Sequence, residues 1–133
     1  NGKLDARLRE LLIMRIGWRT GSAYEWTQHW RVARLLDVPE ADLLAVREWQ
    51  ASARFDARDR AVLAATDETL DTGTISDTTW RACAAHLGTE ELLELVVAIG
   101  TWRLFSSLLR SLDVPLEEGV EPWPPDGLRP AED

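Results

Sequence analysis

The sequence predicts an all-α fold, a bundle of about six helices with no sheet. Apolar residues recur at helical spacing along six separate segments, and residues that cap or break helices stand between them. No segment alternates polar and apolar residues as a half-buried strand does. The length of 133 residues, 45% of them hydrophobic, suits one domain. We therefore expect a single helical domain over residues 1–117 and a Pro-rich acidic tail over 118–133, whose Val120, Trp123 and Leu128 suggest that part of it docks.

The first two helices are predicted on either side of a short glycine-containing break. Apolar residues at positions 8, 11, 12 and 16 predict a helix over 5–16, which Gly17 and the cluster at 20–22 interrupt. Ser22 followed three residues later by Glu25 is the capping-box pattern, and it predicts a second helix over 23–36.

Four further helices are predicted, over residues 40–50, 57–70, 78–87 and 89–112. Pro39 suits the first turn of the third helix, and Asp56 can cap the fourth. Gly88 closes the fifth, and Asp113-Val114-Pro115 ends the sixth, which is the longest.

Composition and charge narrow the classes of function. The net charge of −8 argues against a nucleic-acid partner, since phosphate binding needs a basic face. No signal peptide opens the chain and no stretch approaches the ~20 apolar residues of a membrane span, so we expect a cytoplasmic protein with no membrane partner. Seven Trp and the long apolar sixth helix offer more apolar surface than one small core needs, which predicts self-association as a dimer, trimer or hexamer.

A candidate acid–base site lies on the first two helices. Glu25 and His29 are four residues apart on one helix face, and Ser22 joins that face. From spacing alone, a Glu25–His29 pair is more often a solvated surface pair or a capping contact, and Glu10 can belong to a solvated polar face. If the first two helices pack antiparallel, however, Glu10 can face Glu25 and His29, and the three groups would perturb one another's pKa values. We predict that the site holds no metal and no cofactor. The expected substrate-binding residues are Ser22, which would position the substrate, the apolar walls Trp18, Trp26 and Trp30, and Arg31 as an anchor for a carboxylate.

Several separated blocks of the sequence resemble the carboxymuconolactone decarboxylase family, which includes the AhpD-like alkylhydroperoxidases. The blocks are residues 8–18, 20–29, 74–80, 90–100 and 112–115, so the resemblance covers about residues 4–117. It implies an AhpD-like helical fold that assembles into homo-oligomers. The resemblance implies further N-terminal helices in many relatives of this length, so one expectation is that an element closing the pocket is absent from this chain or comes from a neighbouring subunit.

The resemblance also implies which residues do chemistry. Redox-active members carry Cys-x-x-Cys-x-x-x-His, with a glutamate about twelve residues before the first Cys. By spacing, Ser22 and Glu25 stand at the cysteine positions, His29 at the histidine and Glu10 at the glutamate. Both thiols are replaced, whereas the family's thiol-free decarboxylases of a lactone acid use a histidine and a carboxylate to move protons.

Three functions remain open at this point. The first is a cofactor-free acid–base enzyme acting on a small lactone or carbonyl acid, in which Glu25 and His29 transfer protons and Glu10 orients His29. The second is an AhpD-like, peroxidase-related antioxidant protein, which requires an essential thiol at Cys83, the single cysteine. The third is a non-catalytic oligomeric binding module, in which Glu25 and His29 are replaceable.

Overall fold

The computed structural model describes residues 3–131, and within that range it contains six α-helices, one 3₁₀ helix and no strand. The elements are α1 (Ala6–Thr20), α2 (Ala23–Leu35), α3 (Glu40–Ala45), the 3₁₀ helix (Val46–Ala51), α4 (Ala57–Thr72), α5 (Asp77–Ala84) and α6 (Thr89–Ser111). The predicted all-α fold of about six helices is confirmed.

Helix α1 forms the centre of the bundle. It contacts α2, α3, the 3₁₀ helix, α4 and α6, and it is buried around most of its circumference from Leu8 to Gly17. Each of its fully buried aliphatic side chains, such as Leu11 and Ile13, contributes roughly 1.5–3 kcal/mol relative to an exposed one. The Asp5 side chain caps the helix by accepting a hydrogen bond from the backbone N–H of Leu8.

The predicted interruption of the first helix at Gly17 is wrong, because α1 continues through Gly17 to Thr20. The glycine serves close packing instead: a Cβ at this position would lie 3.1 Å from the backbone N of Trp26 on α2. The helix ends at Gly21, whose φ of 71° is the left-handed conformation that glycine adopts readily. The hairpin of α1 and α2 is therefore as short as predicted, with its break four residues later.

The predicted third helix is in fact two elements. Helix α3 gives way to the 3₁₀ helix at Val46, and Glu48 leaves helical geometry altogether. Arg15 accounts for this change of geometry, because its Nη1 donates to the backbone oxygens of Val46 and Arg47, at 3.0 Å each. These two carbonyls therefore accept hydrogen bonds from a side chain of α1. The fifth helix also ends early, at Ala84, where Cys83 O accepts from the backbone N–H groups of His86 and Leu87 in a tighter turn.

Part of the C-terminal segment docks on the bundle, as predicted. Trp123 is buried, and its backbone N–H donates to Thr27 Oγ1 at 3.0 Å. The indole N–H of Trp26 donates to Pro124 O at 2.8 Å. Leu128, by contrast, is exposed, so the segment is held through its tryptophan and its backbone.

Helix α6 exposes much of its apolar surface. Its outward side chains include Leu93, Val97, Leu104 and Leu108. Contrary to the sequence-based expectation, α6 has the length and composition of a membrane-spanning helix, the one such helix in residues 3–131. The core helix of a soluble protein meets the same test, but only 17% of the tested window is buried. Residues 3–131 therefore leave this face of α6 largely uncovered.

Candidate active site

Glu10 and His29 form a hydrogen-bonded pair between α1 and α2. Oε1 of Glu10 lies 2.8 Å from Nδ1 of His29, and the glutamate side chain is almost fully buried. The other carboxylate oxygen accepts from Arg9 Nε at 3.2 Å. An ionised carboxylate can only accept, so Nδ1 of His29 is the donor in this pair, and in the matching neutral tautomer Nε2 is the nitrogen with a free lone pair.

Glu25 is buried one turn before His29 on α2. Its relative exposure is 1%, and neither carboxyl oxygen has a hydrogen-bond partner among the described residues. Burial disfavours the ionised form and raises the pKa of Glu25 from 4.5 to about 8. At neutral pH this side chain is therefore mostly a neutral acid.

Only half of the predicted capping box forms. Ser22 is buried at the start of α2, where its Oγ accepts a hydrogen bond from the backbone N–H of Glu25 at 3.3 Å. In a complete box the Glu25 side chain would bond back to the N-cap N–H. The carboxyl oxygens make no such bond, so the predicted reciprocal contact is wrong and the acid is left without a partner.

Glu25 and His29 line one cavity of about 360 Å³ between α2 and α6. The other lining residues are Tyr24 and Gln28 of α2 and Trp102, Phe105 and Leu109 of α6. The rings of His29 and Trp102 meet edge to face, with centroids 4.5 Å apart. The volume suits a small molecule, and the wall is largely apolar with few polar groups, as ligand pockets usually are.

The structure does not bring the predicted tryptophans to this cavity. Trp18, Trp26 and Trp30 pack with one another and with Trp123 of the C-terminal segment. The guanidinium of Arg47 stacks over Trp18 and Trp26, at 4.7 and 5.0 Å from the ring centroids. On α2, Trp26 directly follows Glu25 and Trp30 directly follows His29, so each indole points about 100° further around the helix than its neighbour.

The predicted carboxylate anchor, Arg31, lies on the exposed side of α2. Its guanidinium donates to the Gln28 side chain, which itself lines the cavity. Arg31 therefore stands near the cavity but is not one of its lining residues. Its role in holding a substrate carboxylate stays a prediction.

Sequence reasoning missed the aromatic wall that α6 provides. Trp102, Phe105 and Leu109 follow the i, i+3, i+7 spacing of one helix face. That spacing was a usable signal, but an apolar stripe of this kind usually packs in a core. Only the packing of α6 beside α2 turns the stripe toward His29.

The arrangement is suited to proton transfer. A neutral carboxylic acid and an imidazole nitrogen with a free lone pair share one apolar cavity, and a buried carboxylate fixes the tautomer of the imidazole. Among residues 3–131, no group of three or more His, Cys, Asp or Glu side chains is arranged to hold a metal ion.

Cys83 lies apart from this site and is poorly suited to thiol chemistry. It is buried on α5, which packs against α4 and α6, and its Sγ contacts Ala61 O at 3.4 Å. Burial, with a smaller contribution from the negative charge of Glu68, raises the pKa of the thiol to about 11. The reactive thiolate form is therefore scarce at neutral pH.

Comparison with known proteins gives one family and one fold. The model of the carboxymuconolactone decarboxylase family matches residues 1–68, which hold Glu10, Glu25 and His29. A crystal structure of a protein of unknown function from Agrobacterium tumefaciens, described as a candidate antioxidant defence protein AhpD, is similar with a TM-score of 0.79. The two chains are 23% identical, and the match covers 86% of this chain and 82% of the other. No curated protein matches the chain.

Proposed function

Because this chain belongs to the carboxymuconolactone decarboxylase family, we propose that it is a cofactor-free acid–base enzyme acting on a small lactone or carbonyl acid. The observation that carries the proposal is the pairing of two groups in one cavity. Glu25 is a buried acid without a partner, and His29 is a base whose tautomer Glu10 fixes. Both residues line the same cavity, so a substrate bound there would lie beside both.

The proposed chemistry is decarboxylation or proton transfer next to a carbonyl. In decarboxylation, the bond to the substrate carboxylate breaks, its electron pair passes into the conjugated carbonyl system, and CO₂ leaves. Glu25 then donates its proton to the carbon that lost CO₂, and water reprotonates Glu25. In proton transfer, Nε2 of His29 removes a proton from the carbon beside the carbonyl, and Glu25 supplies one at the new position.

The character of the cavity fits either reaction. Trp102, Phe105 and Leu109 present apolar surface beside the acid and the base. A substrate carboxylate that enters this space loses hydration, which favours its conversion to neutral CO₂. A Glu25 that is neutral at pH 7 would not repel the incoming anion.

The test is turnover of a panel of small lactone and 2-oxo acids by variants at the three positions. Glu25→Gln and His29→Ala should each lower kcat/KM by on the order of 10²-fold or more. Glu10→Gln keeps the shape of its side chain but weakens its hold on His29, so it should lower kcat with little change in KM. Glu118→Gln is the matched control, since Glu118 is exposed and outside the cavity.

The pH dependence provides a second readout. Activity that needs protonated Glu25 should fall as pH rises through about 8. Turnover that survives in both Glu25→Gln and His29→Ala would contradict the proposal. It would favour the non-catalytic binding module if ligand binding also persisted.

The likeness to the Agrobacterium protein supports a second candidate, an AhpD-like, peroxidase-related antioxidant function. Such a function through a thiol would have to use Cys83, the single cysteine. Hydroperoxide reduction that is lost in Cys83→Ser but kept in His29→Ala would establish this alternative and exclude the acid–base reading for that activity.

A further inference from the structure

We propose that a second cleft, on a different face of α6 from the His29 cavity, binds a small organic anion carrying at least two phosphate or carboxylate groups. The cleft consists of two adjoining depressions of about 550 and 700 Å³, which share Arg19, Thr20 and Arg110. Arg103 lines the first depression, and Arg129 of the C-terminal segment lines the second. We call this surface the arginine cleft.

The charge of the arginine cleft is opposite to that of the whole chain. The protein has a net charge of −8, yet neither depression has an acidic residue among the lining residues that lie within 3–131. Four arginines converge there from α1, α6 and the C-terminal segment. Segments far apart in sequence thus build a positive region that their average composition does not predict.

Three of the four guanidinium groups have no partner in the described part of the chain. Arg103, Arg110 and Arg129 take part in none of its ion pairs or side-chain hydrogen bonds, whereas Arg19 lies 3.3 Å from Asp67 and 2.5 Å from Asp71. Other arginines of this protein are firmly paired; Arg15, for example, holds Asp67 through two hydrogen bonds. Within the described residues, Arg103, Arg110 and Arg129 therefore keep their guanidinium donors available for a ligand, whereas Arg19 is held by its two aspartates.

The fold places two of these groups over helix ends. A Cβ built on Gly21, which ends α1, would lie 3.9 Å from the guanidinium carbon of Arg110. A Cβ built on Gly73, which ends α4, would lie 4.0 Å from Nη1 of Arg103. A helix C-terminus carries about half a negative charge, which attracts a guanidinium without neutralising it. Stabilisation of these helix ends is the competing role, and it requires no ligand.

The chemistry of the lining defines the ligand. A guanidinium presents a planar fork of donors that matches phosphate and carboxylate oxygens. Arg103 and Arg110 are seven residues apart on α6, two turns, so a ligand that meets both needs more than one anionic group. Ser107 and Ser111 add hydroxyls on the same side of the helix. Phosphate and carboxylate ligands share this oxyanion chemistry.

Isothermal titration calorimetry with pyrophosphate and with citrate tests the proposal on the full chain. At about 20 mM salt the parent protein should bind one or both anions saturably, one per protomer, and acetate should not compete. Binding of pyrophosphate alone identifies a phosphoryl ligand, and binding of citrate alone a polycarboxylate; both results support the cleft.

Charge-matched variants locate the binding. The double variant Arg103→Gln, Arg110→Gln should weaken binding at least tenfold, whereas Arg58→Gln, Arg81→Gln removes the same charge outside the cleft and should change it less than twofold. If the double cleft variant fails to fold, Arg129→Gln, on the exposed C-terminal segment, should still weaken binding severalfold. The proposal is overturned if the parent binds neither anion at millimolar concentration, or if control and cleft variants lose affinity equally.

The result is independent of the acid–base site. His29→Ala should leave anion binding unchanged, because His29 is not in the arginine cleft. Failure of the proposed enzymatic activity would therefore leave this inference standing, and failure of anion binding would leave that activity standing.

Discussion

Replacing Glu25 by Gln should stabilise the folded protein, and the gain should increase with pH. The pKa of Glu25 is about 8 in the folded protein and near 4.5 when the side chain is hydrated. Between these values the folded protein holds a proton that the unfolded chain has released, so the free energy of unfolding of the parent falls as pH rises. Glutamine has nearly the same shape and does not ionise, so the free energy of unfolding of the variant does not fall with pH for this reason.

The size of the effect follows from the two pKa values. Each unit of difference corresponds to about 1.4 kcal/mol, so moving the pKa from 4.5 to about 8 amounts to about 5 kcal/mol. Water entering the cavity beside Glu25 would reduce that figure. The difference between variant and parent should be near zero below pH 4.5, grow through neutral pH and level off above pH 8.

Urea denaturation of parent and variant from pH 4.5 to 9, at one protein concentration, measures this difference. Glu118→Gln, at an exposed position, is the control and should follow the parent at every pH. Groups that titrate alike in both proteins cancel in the comparison. A difference that stays constant between pH 5 and 9 would refute the reasoning, because it would mean that Glu25 is ionised and hydrated in the folded state.

Three further predictions concern packing, the thiol and assembly. Gly17→Ala should lower the free energy of unfolding, measured by urea denaturation, by about 1–3 kcal/mol, because its Cβ would crowd the Trp26 backbone at 3.1 Å. Gly100→Ala is the control: a Cβ there has no atom within 4 Å, so the free energy of unfolding should stay the same or rise. Native Cys83 should resist a colorimetric disulfide reagent at pH 7.5 and react once unfolded, since its pKa is about 11; rapid native labelling would contradict its burial. Sedimentation velocity should find a homo-oligomer that Leu104→Glu dissociates, because Leu104 is 57% exposed on the uncovered face of α6; a monomeric parent would contradict this.

Glu25 and Ser22 differ in what they contribute to the start of α2. Ser22 satisfies the helix start, so α2 does not need the Glu25 carboxyl to form. A buried acid without a hydrogen bond lowers the free energy of unfolding, and selection for stability alone would replace such a residue. Its presence opposite the aromatic wall of α6 is therefore consistent with a requirement for the acid itself.

The sequence by itself determined the helices and the local pairings. Helical periodicity, together with capping residues such as Ser22 and Asp56, is a local property, and it predicted all six segments in order. The four-residue spacing of Glu25 and His29 places both on one side of α2 in any regular helix. The predicted glycine-containing break at 17–21 allowed Glu10 to reach His29 if the two helices packed antiparallel, and the structure brings the two side chains together across the shorter connection at Gly21.

Only the tertiary structure decided which faces meet. Trp26 lies next to Glu25 in sequence but packs on the C-terminal segment, while Trp102, far along the chain, forms the wall beside His29. The convergence of Arg19, Arg103 and Arg129 likewise depends on three distant segments. Periodicity states that a face is apolar or charged but not what covers it, because that depends on how helices distant in sequence pack against one another.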